Sequence, residues 1–99
     1  MWYAITGYDT ANSLAPRRAT RDAHLQRLRA LQDEGRLLLA GPFPAIDADD
    51  PGEAGFTGSL IIAEFATLDL AQAWAHEDPY REAGVYQRID VRPFRKSLP

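Results

Sequence analysis

The chain has 99 residues, 45% of them hydrophobic and 25% charged, which is one soluble domain's worth of sequence with room for a single core. A formal charge of −3 disfavours nucleic acid as a partner, and zero cysteines exclude a disulfide scaffold, thiol catalysis and cysteine metal sites. No run approaches the roughly 20 apolar residues of a membrane span, and no signal-peptide pattern opens the chain, so a cytoplasmic protein without membrane partners is expected.

The segment from Trp2 to Tyr8 is aromatic and β-branched and predicts a first strand, broken by the polar stretch Asp9 to Ser13. Ser13-Leu14-Ala15-Pro16 suggests a short helical turn. Thr20 is the expected N-cap of the main helix, with Asp22 in its first turn facing the positive dipole end. Leu25, Leu28 and Leu31 then recur at helical spacing, and Gly35 ends the run. Arg36 to Gly41 predicts a short buried strand. Pro44 to Thr57, with two prolines, two glycines and several acids, predicts an exposed loop.

Gly58 to Phe65 predicts the third strand, and Thr67 caps a helix whose stripe is Leu70, Ala71, Trp74 and Ala75. Asp78-Pro79-Tyr80 breaks that helix, because proline disfavours helix in the residue before it. Tyr86 to Phe94 alternates and predicts the last strand. The order β-α-β-β-α-β is the ferredoxin-like α+β pattern, a four-stranded antiparallel sheet ordered 4-1-3-2 with two helices on one face. Both faces of the strands look apolar, as with Leu60 and Ile62 against Ile61, Ala63 and Phe65. A second copy of the chain is the simplest cover for the free face, so a homodimer is expected.

That topology brings several strand and helix ends to one edge, carrying Asp9, His24, Gly41-Pro42, Gly58-Ser59 and Asp78-Pro79-Tyr80. On a helical wheel His24 lies about 40° from Leu28 and about 20° from Leu31, so it points at the sheet. Such a ring is either a core histidine bonded to a backbone carbonyl or a general base in a pocket. Near the start of a helix the dipole favours the neutral, basic form. Asp78 also leans inward, at a helix end where an acid is unfavourable and needs compensation. Either it bonds His24, or it closes an Asp-Pro turn on its own backbone.

Other charged groups read as solvated. Asp22, Asp33 and Glu34 belong to helix faces, and Asp47, Asp49, Asp50 and Glu53 lack the distal glutamate of an EF-hand, so no metal site is expected. His76 falls on the exposed side of the second helix. Arg17, Arg18 and Arg21 read as a surface run, one of which could receive an anionic substrate. Ser59 lacks a nucleophile-elbow motif. Gly41 and Gly58 suit close backbone approach better than phosphate binding.

Arg21-x-x-His24-Leu25-x-x-Leu28 and Glu34-Gly35-Arg36-Leu37-Leu38-x-Ala40-Gly41-Pro42 resemble the YciI-like (YCII-related) family. So do Asp50-Pro51-Gly52-x-Ala54-Gly55-Phe56-Thr57-Gly58-Ser59, Ala71-Gln72-Ala73-Trp74-Ala75, Asp78-Pro79-Tyr80 and Ala83-Gly84-Val85-Tyr86. The resemblance runs through the whole chain as one YCII-related domain. It implies a dimeric α+β barrel-like assembly similar to muconolactone isomerases. It also implies a histidine–aspartate pair at His24 and Asp78, helped by Ser59, with dehydrochlorination or isomerisation of ring-derived acids known in the wider group. His76 has no place in the family pattern.

The leading expectation is a small enzyme of lyase or isomerase type that needs no cofactor. His24 acts as general acid/base, Asp78 orients it, and Arg21, Gly41, Pro42 and Tyr80 contact a small anionic organic acid. The competing readings are a non-catalytic binding or accessory module and a structural dimer partner of a larger enzyme.

Overall fold

The computed structural model describes residues 1–99. Four strands, β1 (Trp2–Asp9), β2 (Leu37–Pro44), β3 (Phe56–Glu64) and β4 (Tyr86–Phe94), form one antiparallel sheet in the order β2-β3-β1-β4. That is the expected order read from the other edge. The helices are α1 (Leu14–Asp33), α2 (Leu68–His76) and the short α3 (Pro79–Glu82), so the fold is α+β and ferredoxin-like with one helix more than expected. A 3-10 turn, Gly52–Ala54, lies between β2 and β3. No helix is long and apolar enough to cross a membrane.

Strict alternation along β1 buries Tyr3, Ile5, Gly7 and Asp9 on the helix side. Tyr3 pairs with Ala63 and Ile5 with Ile61, and these residues meet Leu28 and Leu31 of α1 and Ala71 and Ala75 of α2 in the core. Arg27 reaches from α1 to the Trp74 carbonyl at 2.7 Å and lies over the indole at 4.3 Å, clipping the two helices together. Gly35, at φ +71°, ends α1 in the left-handed conformation that glycine adopts freely.

α1 begins at Leu14, six residues before the expected cap at Thr20. Pro16 does not stop it, because an N–H missing from the first turn has no helical acceptor to lose. The first bond is Arg17 N–H to Ser13 O at 2.9 Å. His24 therefore sits mid-helix and Asp22 is not in the first turn, so the dipole argument for a basic His24 does not apply. β2 runs on through Pro42 and Pro44, since an edge strand can leave backbone donors unused. With β3 starting at Phe56, the loop between the strands shrinks at both ends. Thr67 does cap α2, accepting from the Leu70 N–H at 3.1 Å, but Leu70 itself is exposed.

Candidate functional site

Four turns of α1 divide into two halves along one face. Leu28 and Leu31 belong to the core, while Arg17, Arg21 and His24 line a cavity of about 430 Å3 closed by β2 and β3. Ala40, Gly41 and Pro42 form one wall, Phe56, Ser59 and Ile61 another, and Tyr80 stands at the end. Leu28 reaches the cavity as well as the core. Larger depressions beside Asn12 (about 560 Å3) and Trp74 (about 650 Å3) contain no histidine.

His24 and Asp78 are both buried, and Nδ1 of the ring lies 2.9 Å from Asp78 Oδ1 and 3.0 Å from Oδ2. A carboxylate only accepts, so Nδ1 carries the proton and the neutral ring keeps its lone pair on Nε2. Nε2 has no protein partner and is not sealed from solvent, and the ring lines the cavity. Asp78 stands behind the ring and off the cavity wall. Tyr80 stacks on the imidazole, centroids 4.0 Å apart and planes 9° from parallel, which fixes the ring against rotation.

Asp78 is not an uncompensated acid at a helix end. It follows α2 and serves as the N-cap of α3, accepting from the Tyr80 N–H at 2.9 Å. Pro79 occupies the first position of α3, where its fixed φ suits a helix start. The two sequence readings of Asp78 therefore hold together: one carboxylate caps its own turn and bonds His24.

Arg17 is the residue that the sequence reading misplaced. It is buried, not part of a surface run, and its Nε and Nη2 donate to Asp9 Oδ2 and Oδ1 at 2.6 and 2.9 Å. Nη2 also reaches Gly58 O at 3.0 Å and Ser59 Oγ at 2.8 Å. Burial opposes the Arg17 charge, but the bonds to Asp9 outweigh it and hold the guanidinium above its ordinary pKa. Tyr80 is pushed up by burial, partly offset by the nearby charges of Arg17 and Arg21. Burial drives the Tyr86 phenol much further above its ordinary range.

Arg18 pairs with Glu53 at 3.3 Å in an exposed contact, and Arg21 is exposed at the cavity mouth. Gly58 allows close approach, since a Cβ there would strike the Gly7 carbonyl. Gly41 does not serve that role, because nothing lies within 4 Å of a Cβ built on it. The loop before β3 is not wholly exposed either: Pro51 and Gly55 are buried, and Asp50 and Gly52 line the cavity. His76 is exposed, and no three metal-ligating side chains cluster anywhere.

The family described as the YCII-related domain matches residues 1–95. Protein YciI of Escherichia coli is 59% identical over 96 residues, covering 97% of this chain and 98% of that one. An uncharacterized protein of Haemophilus influenzae is 55% identical over 96 residues, with the same coverage. Among solved structures, 5-chloro-2-hydroxyhydroquinone dehydrochlorinase from Burkholderia phenoliruptrix, in complex with 2,5-dihydroxybenzoquinone, superposes with a TM-score of 0.83 at 25% identity. That alignment covers 96% of this chain and 94% of the dehydrochlorinase.

Proposed function

The chain belongs to the YCII-related domain family, and from that premise we propose that it is a small lyase- or isomerase-type enzyme acting on an anionic organic acid. His24 is the general acid/base and Asp78 its orienter. The observation that carries this reading is the ring itself, held on Nδ1 by Asp78 with Nε2 unpartnered on a residue that lines the cavity. A neutral imidazole so held takes a proton from the carbon beside a carbonyl, and Asp78 stabilises the imidazolium that forms. The electron pair left behind either expels a leaving group, as in a lyase, or is reprotonated elsewhere, as in an isomerase. The reaction needs no cofactor in this reading.

The dehydrochlorinase with the same fold supports a proton-transfer role, because loss of hydrogen chloride separates a proton from a chloride. Ser59 is the helper of the pair and Arg21, Gly41, Pro42 and Tyr80 are the substrate contacts in this reading, since all line the cavity with His24. The working unit is a cytoplasmic homodimer, whose second copy covers the free sheet face.

The test is turnover of 5-chloro-2-hydroxyhydroquinone and a panel of lactone acids, followed by chloride release and absorbance. Activity that falls by about a hundredfold or more in His24→Asn upholds the proposal. Full activity in that variant sinks it. Tight binding without turnover of any compound favours the binding-module reading instead.

A further inference from the structure

Arg17 is a buried charge that the proton transfer leaves unused. Its side chain is 7% exposed, with the guanidinium 5.3 Å from the Phe56 ring centroid and 5.0 Å from that of Tyr80. Asp9 grips it in a two-point fork, and Ser13 Oγ donates to the same carboxylate at 2.6 Å, so the plane of the guanidinium is fixed. Two of its three nitrogens are thereby engaged. The third, Nη1, makes no hydrogen bond to the protein and is not sealed from solvent, and Arg17 lines the cavity.

Ser59 completes the arrangement. Its Oγ accepts from Arg17 Nη2 at 2.8 Å, which occupies a lone pair and leaves the O–H free to donate. Ser59 lines the same cavity. The one carboxylate on the cavity wall, Asp50, is exposed and accepts from the Gly52 N–H at 3.0 Å. The wall therefore offers a fixed charged donor beside a hydroxyl donor polarised by that same charge. Donors set in place beforehand need no reorganisation when negative charge arrives.

We propose that Arg17 Nη1 and the Ser59 hydroxyl form an oxyanion-binding pair that holds an ionised oxygen of the substrate, its carboxylate or the enolate formed on deprotonation. The enolate half rests on the reading of His24 as base. The carboxylate half does not, and this lets the two be tested apart. A purely structural Arg17, present only to neutralise Asp9, would leave carboxylate binding in the cavity indifferent to loss of the Ser59 hydroxyl.

The probe is maleate, titrated into the protein while amide signals of the cavity wall are followed by two-dimensional NMR. Wild type should saturate. Arg17→Lys keeps a charge against Asp9 but cannot both hold Asp9 and present a second donor. It should bind about tenfold more weakly or worse, and Ser59→Ala, which leaves the Arg17–Asp9 pair intact, should bind several-fold more weakly. Absence of saturable binding in wild type overturns the pair. So does unchanged affinity in Ser59→Ala, which decides alone if circular dichroism shows Arg17→Lys unfolded. A His24→Asn protein that keeps its turnover overturns the base, while weakened maleate binding in Ser59→Ala still upholds the donors.

Discussion

Asp78 Oδ1 accepts at once from His24 Nδ1 and from the Tyr80 backbone N–H, at 2.9 Å each. The carboxylate is thereby fixed by its own chain before it meets the ring. Asparagine preserves both acceptor roles, because its amide oxygen caps a helix as well as a carboxylate does. What it lacks is the charge that stabilises an imidazolium. Asp78→Asn should melt within a few degrees of wild type by circular dichroism while turnover falls about a hundredfold. Asp78→Ala loses the cap as well and should cost about 1 kcal/mol of stability in urea denaturation.

The Tyr86 hydroxyl is buried with no hydrogen-bond partner. Burial raises this phenol far above its ordinary value, so the folded protein keeps the proton that an unfolded tyrosine releases near about pH 10. Its contribution to stability is complete below that pH and is lost as pH rises from there toward the folded value. Tyr80 is raised in the same direction. Tyrosinate absorbance should thus rise in step with loss of the far-ultraviolet signal. Tyr86→Phe removes an unpaired buried group, and should gain about 1 kcal/mol at neutral pH and show a shallower alkaline loss in urea titrations.

The inward aim of His24 was legible from helical period, and the sheet order from the β-α-β-β-α-β succession that the ferredoxin-like pattern folds in one way. The start of α1 was not, because Thr20 reads as a cap and sets the turn at Ser13 to Pro16 apart, when that turn is the first of one continuous helix. That misreading hid Arg17, which lies seven residues before His24 and so on the same helix face, about 20° away. Extending the stripe of Leu31, Leu28 and His24 backwards through Arg21 to Arg17 would have found it. The fork between Arg17 and Asp9 was out of reach, since it joins a strand end to a helix whose register depends on that same boundary. Pro42 and Pro44 misled too: proline punctuates a strand by composition, although the expected order already put β2 at the sheet edge, where missing backbone donors are tolerated.

Gly58 pairs with Tyr8 of β1 on one side and Phe43 of β2 on the other. Its missing side chain lets β3 approach the Gly7 carbonyl, and its own carbonyl accepts from Arg17 at 3.0 Å. A methyl group there must push backbone, which yields less than a side-chain tip does. Gly58→Ala should therefore cost about 1–3 kcal/mol or more in urea denaturation. Maleate affinity should fall with it, because the Arg17 and Ser59 donors share that stretch of β3. A variant as stable as wild type would show that the strands can separate freely.

The face of the sheet away from the helices carries Trp2, Tyr8, Leu39, Phe43, Leu60 and Ile62 by register, and Leu39 and Phe43 are 46% and 42% exposed. Such an apolar sheet face is more than a single chain keeps in water without a partner. Wild type should sediment at micromolar concentration as a species heavier than its 11.0 kDa chain. Phe43 stands on the edge strand with its ring beside Gly58, so in a lone chain it adds little to the core. Phe43→Asp should keep the circular dichroism spectrum and run as a monomer, since burying a carboxylate across an apolar contact is costly without a paired charge. Sedimentation of wild type as an 11.0 kDa species alone would overturn the dimer.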